Sequence, residues 1–264
     1  MSPSDSLFVQ PSGRSPRAAL PEQFHYEWIK FRSVRSTVWT TVATALVPVL
    51  GAVFVAASGS LQADDTVLGG SLTLTVVAQM LAAVTGALVV TGEYGSGTLR
   101  TTLAANPRRG TVLAAKATVL ALVTYGLALL SCTLAFAVGG ALLPAGKYPT
   151  GEPWPALFGI AASFSVAALL GLAIGTLVRH SAGAVTTVIG LLLLPSLFGP
   201  LFGDARRWIA GLSPTAALEK LTQTSDANAE AVGSLGPWPS LALVAGYTVV
   251  LLLSAAAAFR RRDA

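Results

Sequence analysis

The sequence predicts an all-α integral membrane protein with six transmembrane helices, cytoplasmic N- and C-termini, and an N-terminal interfacial amphipathic helix. Three observations carry this prediction. The 264 residues are 53% hydrophobic and only 11% charged, with mean hydropathy +0.67, whereas soluble chains average about 25% charged residues. Six apolar runs reach the roughly 20 residues a helix needs to cross a bilayer core, and none alternates like a membrane β-strand. When these runs are threaded back and forth, 13 of the 17 Lys and Arg residues fall on one side. The side enriched in Lys and Arg is the cytoplasmic one.

Residues 1–20 are rich in Ser, Pro and Arg and read as a disordered cytoplasmic tail, with no apolar core of a secretory signal. Residues 21–36, "PEQFHYEWIKFRSVRS", place Phe24, Trp28 and Phe31 at i, i+4, i+7 spacing, with Glu27, Lys30 and Arg35 largely between them. That pattern suits a helix lying in the headgroup plane before the first span, the other reading being a frayed extension of that span. The membrane domain runs over 37–259, with spans at about 37–57, 68–91, 117–143, 157–178, 183–202 and 239–259, and 260–264 form a cytoplasmic tail. Trp154 and Trp238 stand just before the fourth and sixth spans, where interfacial aromatics belong. On the outer side, "DARRWIAGLSPTAALEKLTQ" (204–223) carries Trp208, Ile209, Leu212, Leu218 and Leu221, interrupted by Pro214. It reads as two short surface helices.

Several function classes fall away. A pI of about 9.7 could suggest nucleic acid, but the basic residues sit at the ends of apolar runs, where they orient a membrane protein. The single cysteine, Cys132, lies inside a span and allows neither an intrachain disulfide nor a cysteine metal site. His25 and His180 lack partners at metal-ligand spacing, and no GxSxG elbow is present. His180 in "VRHSAG" reads as the cap of a short turn. Coupled transporters carry ionisable residues within their spans; the six run interiors have none, and Gln79 reads as an interhelical hydrogen bond. Gly171 and Gly175 in "GLAIG" read as close-packing positions.

One stretch breaks the apolar pattern: "VVTGEYGSGTLRTTLAANPRRGTVLAAK", residues 89–116. It is not a Walker A loop, which needs GxxxxGK(S/T), and its glycines read GxxGxG with no preceding strand. Glu93 ends the second span, Gly95 and Gly97 permit a sharp change of direction, and "TLRTTLAANP" forms a short helix closed by Pro107, followed by Arg108 and Arg109. A chain with no energy source of its own is driven by a partner, and this largest inner loop is the natural docking surface. The other reading of the same loop is one whose arginines only set topology.

The segments "EWIKFRSVRSTVW" and "TGEYGSGTLRTTLAANPRRGTVLAAK", in this order around these spans, together with "SPTAALEKL" between the last two, resemble the permease subunits of type 2 ABC exporters. The likeness is closest to single-domain actinobacterial forms. The resemblance implies a permease that pairs with a second copy, as a homodimer or a heterodimer, and docks two separate cytoplasmic ATPase subunits in the bacterial plasma membrane. The partners bind ATP and Mg; this chain binds neither and is not an enzyme. The resemblance further implies outward movement of an amphiphilic or lipid-like substrate, as in multidrug or antibiotic efflux. By the same resemblance, residues 21–36 (Phe24, Trp28, Phe31) are the elbow helix. Residues about 94–108 are the coupling helix, with Glu93, Tyr94, Gly97, Thr98, Arg100, Pro107, Arg108 and Arg109 as the partner-coupling loop. The outer gate region contains Trp208, Pro214 and Leu218. The alternative is a non-transporting membrane anchor or sensor that docks a cytoplasmic partner through residues 93–110.

Overall fold

A computed structural model describes residues 19–62, 64–105, 109–144, 146–198, 201, 211–224 and 232–261; at 19–22, 100, 103–105 and 196 it describes the backbone alone. The described residues form helices and connecting turns without a strand. Helix α1 (Ala19–Ser33) starts two residues before the expected elbow, within the stretch read as tail. It ends at Val34, whose extended backbone (φ −82°, ψ 112°) makes a corner before α2 (Arg35–Ser58). Gly59 then closes α2 in the left-handed region, its N–H bonding to the Val55 carbonyl at 3.2 Å.

The second apolar run does not fold as one helix from residue 68. It divides into a short α3 (Val67–Ser71) and a long α4 (Thr75–Ser96). Thr66 caps α3 by accepting from Gly69 N–H at 2.9 Å. α3 also has partners outside its own helix: Val67 N–H donates to the Pro149 carbonyl at 2.9 Å, and a Cβ on Gly69 would lie 3.2 Å from the Gln223 carbonyl. Next come α5 (Thr98–Ala105), the 34-residue α6 (Arg109–Leu142) and α7 (Pro153–Val178). α8 (Ser181–Phe198), α9 (Pro214–Thr222) and α10 (Pro237–Arg261) complete the described helices.

Five of these, α2, α4, α6, α7 and α10, are long and apolar enough to cross a membrane. The run expected at 183–202 is the shorter α8, which contains Pro195 and reaches only Phe198. Pro195 has no N–H to give to the helix ladder. His180 performs the capping role read from the sequence, accepting from Gly183 N–H at 3.2 Å through Nδ1.

The centre of the bundle is α7 against α4. Ala78, Ala82, Ala83 and Ala87 of α4 and Ala167, Ala168, Gly171 and Gly175 of α7 let the two backbones approach closely. A Cβ on Gly86 would fall 1.8 Å from the Ala168 carbonyl oxygen, and one on Gly171 would fall 1.9 Å from that of Ala83. Small residues at helix contacts serve this purpose in membranes, where lipid removes the hydrophobic drive between helices. α2 and α10 lie outside this centre and turn large apolar side chains outward, among them Leu46, Leu50, Phe54, Val250 and Leu253.

A charged junction at one end of the bundle

At one end of the bundle, α1 meets the last turn of α4 and the first turns of α6. Four ionised side chains converge there. Lys116 of α6 sends its ammonium to Glu27 Oε2 of α1 at 2.6 Å and also to Glu93 Oε1 of α4. Lys30, one turn beyond Glu27, meets the same Glu93 oxygen at 2.9 Å. Gln23 extends the chain, its amide donating to Glu27 Oε1 at 3.3 Å. Glu27, Glu93 and Lys116 expose only 3–4% of their surface, so each charge depends on the others for compensation.

The sequence explains how α1 supplies two of these groups. Gln23, Glu27 and Lys30 recur at i, i+4, i+7, forming a polar stripe that faces the bundle. Phe24 and Trp28 lie on a flanking face about 100° around the helix, 37% and 40% exposed, while Phe31 is buried in the core. The elbow thus turns its polar face inward and two of its three marked aromatics outward, the arrangement suited to a helix bathed in lipid on its outer side.

Beyond Glu93 the chain changes direction. Gly97 adopts φ +71° and its N–H closes on the Tyr94 carbonyl at 3.4 Å, a conformation glycine reaches without steric cost. Thr98 then opens α5, its hydroxyl 2.9 Å from that of Ser96. Leu99 and Thr102 are buried, whereas Thr98 and Thr101 are exposed, so α5 lays one face on the bundle and presents the other outward. Tyr94 lies under the Arg179 guanidinium, 5.3 Å from its ring centre. Arg109 donates to the Phe259 carbonyl at 3.3 Å. The start of α6 is thereby tied to the end of α10, and both terminal helices reach the same end of the bundle. The Arg100 side chain, Pro107 and Arg108 lie outside the described residues. Among the described residues, no group of three or more His, Cys, Asp or Glu could hold a metal ion.

The expected coupling residues do not play equivalent parts. Gly97, Thr98 and α5 form an accessible turn. Glu93 instead faces inward, bracing that turn against α1 and α6. Lys116, which in the sequence is only one of the 13 Lys and Arg residues on the enriched side, is the hub of the junction. The available signal was its depth: Lys116 and Glu93 stand at the facing ends of consecutive antiparallel spans, opposite the Glu27 and Lys30 stripe.

A model of the family described as ABC-2 family transporter protein matches residues 26–264. The chain belongs to the ABC-2 transporter family. The resemblance read from the elbow and the 89–116 stretch is therefore borne out, and the match includes α2 to α10. No match was found among curated proteins. Membership makes the chain a multi-pass membrane component of an ABC transporter, distinct from the ATPase with which such a permease associates.

In this ABC-2 permease the opposite end of the bundle is also well packed. Ser213 caps α9, accepting from Ala216 N–H at 3.0 Å, and Gln79 of α4 donates to the Pro214 carbonyl at 3.2 Å. Gln79 is thus the interhelical link expected from the sequence. Pro214 and Leu218 of the expected gate region are buried, and Trp208 lies outside the described residues. Lys220 is buried with its ammonium 2.8 Å from the Ser240 hydroxyl. Burial pulls its pKa below the ordinary lysine value.

Proposed function

We propose that the chain is the permease subunit of an ATP-driven ABC exporter, with α8 as a sixth span and both termini in the cytoplasm of a bacterial cell. Two copies pair, and each docks a separate cytoplasmic ATPase subunit that binds ATP and Mg. The assembly moves an amphiphilic or lipid-like substrate outward, a role that fits drug or antibiotic efflux. The observation that carries this reading is α5: a short helix with one exposed face, joined through the Gly97 turn to a span end whose Glu93 is ion-paired to buried Lys116 and partly exposed Lys30. Force on α5 would pass through the Gly97 turn to α4 and, through Glu93, to α1 and α6. ATP biases the inward and outward arrangements only as far as the ATPase binds them differently, and a braced lever transmits such a difference better than a loose loop. Support for cytoplasmic termini comes from the 13 to 4 distribution of Lys and Arg.

The test is copurification from native membranes in mild detergent, with mass spectrometry of the partner and an assay of ATP hydrolysis. An ATPase with Walker motifs, active in the complex, is the expected result. A stable preparation holding only a kinase or another partner would replace this reading with the anchor or sensor role.

A further inference from the structure

Beside the charged junction lies a cavity of about 460 Å³. Glu27, Glu93, Lys30 and Lys116 bring the charges to it, and Leu88 and Val119 form an apolar part of its wall. Sites for small ligands commonly span about 300–1,000 Å³ with this mix of apolar wall and few polar groups.

Two atoms indicate what would fit. Glu93 Oε1 is shared by two ammonium groups, yet Oε2 of the same carboxylate is buried and has no hydrogen-bond partner among the described residues. A buried acceptor left open is costly and calls for a donor. The Lys30 ammonium is itself buried, pairs with Glu93 at 2.9 Å without a completed hydrogen bond and lies 5.5 Å from the Tyr26 ring centre, so its protons are left open to an acceptor inside the cavity. Two lysines and two glutamates balance in charge, so the cavity favours a ligand that is itself neutral overall, with a donor at one point and an anionic group at another. The apolar wall calls for acyl chain beside them.

We infer that this cavity binds the headgroup of one phospholipid carrying a primary amine, its ammonium on Glu93 Oε2 and its phosphate toward Lys30. A phosphatidylethanolamine head meets every condition. A phosphatidylcholine head has the same charges, but its quaternary ammonium is bulkier and has no N–H to donate. The bound lipid would fill the space between the elbow helix and the spans, so membrane composition would set how firmly the junction braces the α4–α5 turn.

Native mass spectrometry of the purified full-length chain, titrated with dioleoyl phosphatidylethanolamine or dioleoyl phosphatidylcholine, tests this. The expected result is one retained ethanolamine lipid, bound about tenfold more tightly than the choline lipid, the scale of one charge-assisted hydrogen bond. Gly92→Leu supplies the control. Gly92 lines the cavity, a Cβ there meets no atom within 4 Å, and leucine favours the helix more than glycine does. The variant is expected to keep its thermal stability and lose the preference. Equal binding of the two lipids by the wild-type chain, or an undiminished preference in a folded Gly92→Leu variant, would overturn the inference.

Discussion

Lys116→Met removes the hub of the charged junction while keeping a side chain of similar length. In the native arrangement the Lys116 ammonium lies 2.6 Å from Glu27 Oε2 and also holds Glu93. Without it, Glu27 keeps only the Gln23 amide at 3.3 Å, and Glu93 keeps only Lys30. At an effective dielectric of about 20, one ion pair at this separation has a gross attraction of roughly 6 kcal/mol. Desolvation offsets part of it, and removing one partner of a buried pair costs about 3–5 kcal/mol. At roughly 2–4 °C per kcal/mol for a chain of this size, the melting temperature should fall by about 6–20 °C. The assay is thermal unfolding in one detergent at one scan rate, since membrane proteins often unfold irreversibly. The double variant Glu27→Gln, Lys116→Met removes both charges of the Lys116–Glu27 pair and leaves Glu93 with Lys30, so it should recover a substantial part of the loss, because a deleted ion pair costs less than a broken one. A fall below about 2 °C for Lys116→Met, well under the range worked from these contacts, would refute the reasoning. So would a double variant no more stable than the single one.

Three further outcomes are expected. Gly171→Leu drives a side chain into the Ala83 carbonyl, where even a Cβ would lie 1.9 Å away, and should cost at least the roughly 1–3 kcal/mol of an overpacked core; Gly126→Leu, with open space around it, should elute from size exclusion as the wild type does. Lys220→Met should stabilise the fold near neutral pH. Burial lowers the folded-state pKa of Lys220, so the cost of its charge is fully present below that value and fades as pH rises toward the ordinary lysine value; melting curves of both proteins against pH should therefore converge in alkali. Arg100→Ala should reduce transport per ATP hydrolysed by about 2- to 30-fold, the effect of a coupling change of roughly 0.5–2 kcal/mol, and unchanged transport in proteoliposomes with the partner ATPase would remove Arg100 from the coupling path.

The long apolar helices were legible because length and hydropathy are local properties, and α2, α4, α6, α7 and α10 follow the expected runs to within several residues at most ends. The departures lie where tertiary contacts enter. α3 and α4 divide at residues 72–74, and the bonds from Val67 and Leu68 to residues 149 and 150 join parts of the chain that no short stretch of sequence brings together. Pro195 was visible as a residue, but its place near the end of a short α8 became visible only in the fold. At the junction, Glu93 and the Gly97 turn were conspicuous as a charge and glycines closing an apolar run. Lys116 was not, because a lone lysine at a span end has an adequate explanation in topology. Its pairing with Glu27, 89 positions earlier in the chain, depends on how α1 lies across the bundle.

In the proposed assembly a partner ATPase engages the exposed face of α5. Thr101 is exposed on that helix, and the chain's single native cysteine, Cys132, is buried, so Thr101→Cys offers one accessible thiol. Crosslinking from that thiol in native membranes, with and without MgATP, tests the claim most directly. The expected result is an adduct with an ATPase bearing Walker motifs, formed at a yield that changes with nucleotide. An adduct only with some other cytoplasmic protein, or an ATPase that copurifies yet never crosslinks from α5, would contradict it.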